Sequence, residues 1–305
     1  MPARSYRAGS AVASTFPQRL LADSPHVPHA RPLPPLVLSF AGSDPTGGAG
    51  LQADLLTLAA LGCHPLSVVT AITAQDTAGV EGVQPVAADW VARQAQVVLA
   101  DMRVAAIKVG MVATAENAAV IAAVLAAHPA LPVVLDPVLA SGRGDPLGSG
   151  ATAAALVEML VPRATVVTPN SLEARRLAAA PGEDPDALPL EQCAARLTAR
   201  GARYVLVTGS HEPTREVVNS LYDAGGGVRS DRWERLPGGH HGSGCTLAAA
   251  IAAGLAHGLA VPEAVQAAQR FTWQALADGF RPGAGQSIPD RLYALRAAAA
   301  EAVHE

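Results

Sequence analysis

With 305 residues, half of them hydrophobic, the chain can bury a large core as one α/β domain or two smaller ones, which excludes disorder of the whole. A formal charge of -4, a pI near 6.1 and 4% aromatics leave neither a basic excess nor stacking platforms for nucleic acid. Cys63, Cys193 and Cys245 stand far apart without paired spacing, which fits a reducing cytosol and no disulfide framework or zinc site.

Residues 1–34 carry Pro, Arg, Ser and His without periodicity and lack the apolar core of a secretory signal, so a disordered tail is expected before a single domain spanning 35–305. An over-long translation start or an organelle-targeting peptide would read alike. From Pro35, short apolar runs alternate with helical patterns, which predicts β-α units around a mainly parallel sheet. Strands are predicted over Leu36–Ala41, Leu66–Ile72, Ala105–Val109, Val133–Asp136, Thr165–Thr168 and Tyr204–Thr208. Helices are predicted to begin near Gly48, Ala88, Ala115, Gly150, Ser171, Leu190, Gly242 and Pro262. Gly79–Val86, and the pair Val217–Tyr222 and Val228–Leu236, look antiparallel and predict an edge hairpin or small flap. The most apolar stretch, Thr246–Val261, is Ala-rich, contains His257 and falls short of the roughly 20 residues of a membrane span. It reads as a buried helix, and no membrane association is expected.

In open α/β sheets ligands sit beyond the carboxyl ends of the strands, and the polar, Gly-rich clusters fall there. The first is Ala41-Gly42-Ser43-Asp44-Pro45-Thr46-Gly47-Gly48-Ala49-Gly50, which lacks both the Lys-Ser/Thr pair of a Walker loop and the dinucleotide spacing. A tight strand-to-helix turn without a ligand would look the same. The second, His241-Gly242-Ser243-Gly244-Cys245-Thr246, opens the Ala-rich helix with successive backbone N–H groups at its positive end, a geometry suited to a transferring phosphoryl group. A helix end also depresses a thiol pKa, so Cys245 is expected as base or nucleophile, against the plain alternative of a small packed Cys. The third, Thr168-Pro169-Asn170-Ser171-Leu172-Glu173, is explained by a helix cap, but a carboxylate there also suits Mg²⁺ held through water. Asp136, ending an apolar strand, is a second metal candidate.

Together these segments resemble the hydroxymethylpyrimidine/phosphomethylpyrimidine kinases of thiamine biosynthesis, within the ribokinase-like superfamily. The matching pieces also include Gly47-Gly48-Ala49-Gly50-Leu51-Gln52-Ala53-Asp54, Thr70-Ala71-Ile72-Thr73-Ala74-Gln75-Asp76-Thr77, Ile107-Lys108-Val109-Gly110-Met111, Asp136-Pro137-Val138 and Gly144-Asp145-Pro146-Leu147. The resemblance implies a three-layer α/β fold and ATP with Mg²⁺ as cofactors. It implies an anion hole at Gly242, Ser243 and Gly244 with Cys245 as base, and a pyrimidine pocket near Gly42, Asp54, Gln75, Met111 and Val138. Asn170, Thr208 and Gly209 are nucleotide candidates, and Glu173 with Asp136 would position the metal. Two departures stand out: Leu56 replaces a frequent Lys, removing a positive charge expected near the substrate, and Val207-Thr208-Gly209-Ser210-His211 replaces a Lys-Gly-Gly-His type of segment.

The expected activity is therefore ATP-dependent phosphorylation of 4-amino-5-hydroxymethyl-2-methylpyrimidine, its monophosphate, or both, with a homodimer left open. Pyridoxal or pyridoxine phosphorylation is the near alternative, because ring size and hydroxymethyl group are alike. A ligand-binding pseudokinase and a Cys245/His241 acyl hydrolase are the alternatives from other classes, the latter lacking an ordered third partner.

Overall fold

The alternation of residues along the central strands already divides them between two helical layers. In β1 (Leu36–Ser43), Leu38 and Phe40 face one hydrophobic cluster and Val37 faces the other, all fully buried. The computed structural model describes residues 32–140 and 147–304, so residues 1–31 of the tail expected over 1–34, and the Gly144–Pro146 part of the motif, lie outside the described residues.

Six strands run parallel: β2 (His64–Gln75), β1, β4 (Val104–Val109), β5 (Val133–Leu135), β6 (Val166–Val167) and β7 (Tyr204–Val207). Antiparallel strands close both edges. On one side is β3 (Val80–Pro85), and on the other the hairpin β8 (Glu216–Asp223) and β9 (Gly226–Glu234), giving the order β3-β2-β1-β4-β5-β6-β7-β8-β9. The two antiparallel intervals are thus extensions of the main sheet.

On one face pack α2 (Ala88–Asp101), α3 (Ala115–Ala127), α4 (Gly150–Ala155), α5 (Ser171–Ala178) and α6 (Leu190–Ala199), through Val91, Ile121, Ala155, Leu177 and Leu197. On the other lie α1 (Gly50–Ala60), α7 (Ser243–Ala256) and α8 (Val261–Ala277), through Leu58, Ala248–Ala253 and Val265. The alanines of α7 are what let it lie close against the sheet, since a larger side chain there would hold the layers apart. A ninth helix, α9 (Tyr293–His304), ends the described chain and was not expected. From Pro34 onward the described residues form one compact unit. Among the described residues, no helix is long and apolar enough to cross a membrane.

Candidate active site

The carboxyl ends of the parallel strands and the first turn of α7 enclose a cavity of about 430 Å³. Its floor holds a fully buried cation: Lys108, on β4, places Nζ 3.0 Å from Asp54 Oδ2 and 3.8 Å from Asp136 Oδ2. Burial opposes charge on Lys108, but Asp54, Cys245 and Asp136 outweigh it and keep it protonated. Burial raises Asp54 to about 6 despite Lys108. It also raises Asp136, against the pull of Lys108 and a hydrogen bond from Cys245.

The wall at α7 begins with Gly242, whose φ is +82°. A Cβ there would collide with the carbonyl oxygen of Gly48, so only glycine lets the two Gly-rich turns touch. The amides of Ser243, Gly244 and Cys245 fall in the first turn of α7, where no carbonyl of the same helix can receive them. Cys245 itself is half-buried and receives a hydrogen bond from the Gly50 amide. The expectation of a depressed thiol pKa is overturned. Burial pushes Cys245 up to about 12, with Lys108 opposing and Asp136 and Asp54 adding to the rise, so removal of solvent outweighs the helix end.

Opposite, the first Gly-rich turn is organised by Asp44, which is 2% exposed. Its Oδ1 accepts from the Thr46 amide at 2.9 Å and Oδ2 from the Ala49 amide at 2.7 Å. Burial alone would raise Asp44, yet its bonds with His241, Thr46 and Ala49 hold it below the usual carboxylate value. His241 Nε2 lies 2.8 Å from Asp44 Oδ2 and 2.8 Å from Gln75 Nε2, linking the second Gly-rich turn to both the first and β2. Behind them, the buried Arg291 donates to Thr246 Oγ1 at 2.9 Å, Gly47 O at 3.3 Å and Gly48 O at 2.5 Å, clamping both turns together.

On the third side, Asn170 caps α5 by accepting from the Leu172 and Glu173 amides, and Glu173 Oε2 accepts in return from the Asn170 amide at 2.9 Å. Burial beside Asp136 pushes Glu173 up to about 8. The cap explanation is thus real, and the same carboxyl still lines the cavity.

Of the residues singled out in the sequence, Gly42, Gln75, Met111, Val138, Asp136, Asn170, Glu173, Thr208, Gly242, Ser243, Gly244 and Cys245 line this one space. Asp54 and Gly209 do not. Asp54 is fully buried as the counter-charge of Lys108, and the Gly209 amide is taken by Asn219 Oδ1 at 3.1 Å while Ser210 and His211 reach the wall. Leu56 lies outside the lining, 39% exposed on α1, so the charge expected to be missing from the site is missing from the surface. No role was expected for Lys108, Asp44 or Arg291, and His241 was expected only as the partner of Cys245 in the hydrolase alternative, whereas the structure joins it to Asp44 and Gln75. A lone Lys inside the apolar strand Val-Ala-Ala-Ile-Lys-Val is a readable sign of a buried ion pair, whereas nothing local marks Arg291.

The family model for phosphomethylpyrimidine kinase matches residues 44–290. A hydroxymethylpyrimidine/phosphomethylpyrimidine kinase from Streptomyces coelicolor is 41% identical over 86% of this chain and 96% of its own. Among solved structures, a pyridoxal kinase from Bacillus subtilis in complex with ADP superposes with a TM-score of 0.77 at 32% identity, covering 87% of this chain and 99% of that one. A phosphomethylpyrimidine kinase from Clostridium difficile gives 0.67 at 32% identity, covering 78% and 97%. By sequence and by its ribokinase-like α/β fold, the chain belongs to the phosphomethylpyrimidine kinase family of phosphotransferases, which acts in thiamine biosynthesis.

Proposed function

We propose that the protein transfers the γ-phosphoryl group of ATP to the hydroxymethyl group of 4-amino-5-hydroxymethyl-2-methylpyrimidine and to the phosphate of its monophosphate. One observation carries this reading: the Cys245 turn of α7 shares a single cavity with Gln75, Met111 and Val138, so anion-binding amides and ring contacts face the same space. Met111 and Val138 give apolar contact, and the amide of Gln75 offers the donor and acceptor that an aminopyrimidine edge requires. A Cβ at Gly42 would come within 3.3 Å of the Met111 sulfur, so the absence of a side chain there leaves Met111 its place on the cavity wall.

In this reading the Ser243, Gly244 and Cys245 amides hold the γ-phosphoryl oxygens, and Asn170 and Thr208, which line the same cavity, contact the nucleotide. Because the Cys245 thiol is protonated at neutral pH, it takes the substrate hydroxyl proton only as its own proton passes to Asp136, its hydrogen-bond partner. The donor set fits Mg²⁺: among the described residues Asp136 Oδ2 is buried without a hydrogen-bond partner, and Glu173 needs positive charge nearby to ionise. Bound magnesium supplies charge neutralisation for the nucleotide phosphates, and Glu173 with Asp136 would hold it through water.

The test is ADP release, coupled to a spectrophotometric readout, with hydroxymethylpyrimidine, its monophosphate and pyridoxal compared on the same protein. Turnover of the pyrimidines above pyridoxal supports the reading. Pyridoxal as the better substrate overturns it in favour of a pyridoxal kinase, and ring binding without ADP release overturns it in favour of a binding protein.

A further inference from the structure

The side-chain amide of Gln75 meets two partners, and these decide which way round it sits. Its Nε2 end is placed 2.8 Å from His241 Nε2 and its Oε1 end 3.2 Å from Thr73 Oγ1. The Thr73 hydroxyl proton is directed to Ser43 O, 2.8 Å away, so toward Gln75 this oxygen has only lone pairs to offer. At the other end, His241 Nε2 lies 2.8 Å from Asp44 Oδ2, a carboxylate that already accepts from the Thr46 and Ala49 amides and is held ionised. Nε2 must therefore carry a proton for Asp44. A protonated Nε2 facing an NH₂ group sets donor against donor, and an unprotonated one sets its lone pair against the carboxylate. No tautomer of His241 satisfies both neighbours.

A half-turn of the carboxamide resolves both contacts at once, since its oxygen and nitrogen exchange places with almost no change in shape. Oε1 then accepts from the His241 Nε2–H that also serves Asp44, and Nε2 donates to Thr73 Oγ1. We infer that Asp44, His241 and Thr73 are positioning residues that fix the Gln75 amide with its oxygen toward His241 and its nitrogen toward Thr73, and thereby set which way round the pyrimidine ring binds.

The consequence for the substrate rests on the proposed function. An amide presents one free N–H and one free oxygen lone pair along the same edge, matching a ring nitrogen beside an exocyclic amine. In 4-amino-5-hydroxymethyl-2-methylpyrimidine those groups are N3 and the 4-amine. With the amide so fixed, N3 lies on the Thr73 side and the amine on the His241 side. The 5-hydroxymethyl group is the amine's neighbour on the ring, so it is carried toward the turn that runs from His241 through Gly242 to Cys245. The opposite amide orientation would turn the ring over and carry the hydroxymethyl group away from those amides.

Two measurements test this on the full-length protein. Long-range ¹H–¹⁵N spectra of the histidine side chains, assigned with His241→Phe, are expected to show His241 protonated at Nε2; an unprotonated Nε2 overturns the inference, whatever the activity. Thr73→Val, which removes the acceptor for the amide nitrogen, is expected to raise the pyrimidine KM roughly 3- to 10-fold with the ATP KM little changed, the size of one lost hydrogen bond. Thr73→Ser keeps the hydroxyl and should recover most of the affinity. Equal KM values for Thr73→Val and wild type, or failure of Thr73→Ser to recover, overturn the inference. Absence of pyrimidine turnover in the wild type would instead remove the proposed function, and the spectrum would still decide the amide.

Discussion

Replacing Lys108 with Met exchanges a buried cation for an apolar chain of similar length and leaves Asp54 without its partner. Both members of this pair are fully buried, with Nζ and Oδ2 3.0 Å apart. At an effective dielectric constant of about 20 their attraction is about 5 kcal/mol, and removing one partner of a buried pair typically costs about 3–5 kcal/mol. For a chain of this size each kcal/mol shifts Tm by roughly 2–4 °C, so Lys108→Met is expected to unfold roughly 6–20 °C below wild type. The double substitution Lys108→Met/Asp54→Leu removes the stranded carboxylate as well and should recover at least half of that loss. Thermal denaturation followed by circular dichroism reads both. A Lys108→Met protein melting within about 3 °C of wild type, roughly 1 kcal/mol, would refute the claim that this pair organises the floor of the site.

Three further outcomes follow from the site. In metal-free protein kept in chelator, Glu173 stands at about 8 in the fold against an ordinary 4.5, so the folded state holds the proton more tightly than the unfolded one. Stability should fall as pH rises from about 4.5 to about 8 and level off above, and Glu173→Gln should lose that slope; parallel Tm-against-pH curves for the two proteins would exclude it. Cys245→Ser keeps the size of the side chain while weakening its capacity to pass a proton, and kcat should drop at least ~100-fold with the ATP KM retained; a wild-type kcat would make the thiol a packing residue. Gln75→Leu should raise the pyrimidine KM while leaving the ATP KM near normal, and steady-state kinetics varying each substrate would reveal a contrary change.

Much of the fold was legible because its punctuation is local. Thr114 and Asn170 cap α3 and α5, and the glycines of Gly242-Ser243-Gly244 open α7, so those starts could be read from neighbouring residues alone. Strand β2 extends past Ile72 to Gln75 because β3 pairs with its end, a non-local contact. Helix α9 was not expected, although Tyr293–His304 is rich in alanine, a strong helix former. The same division governs the site. The Cys245 turn carries its own signature, but the pairing of Lys108 with Asp54 joins β4 to α1, and the links among Asp44, His241 and Gln75 join three segments far apart in sequence. The rise in the Cys245 pKa belongs to the same class, since burial and neighbouring carboxylates are properties of the assembled site.

The most direct measurement is ³¹P NMR of a reaction containing the protein, ATP, Mg²⁺ and 4-amino-5-hydroxymethyl-2-methylpyrimidine. The γ-phosphate signal should be replaced by that of a phosphomonoester on the hydroxymethyl oxygen, and then, as the monophosphate accumulates, by the two coupled signals of a diphosphate. Loss of the γ-phosphate only to inorganic phosphate, or an ATP spectrum unchanged by the pyrimidine, would contradict phosphoryl transfer to the ring substituent.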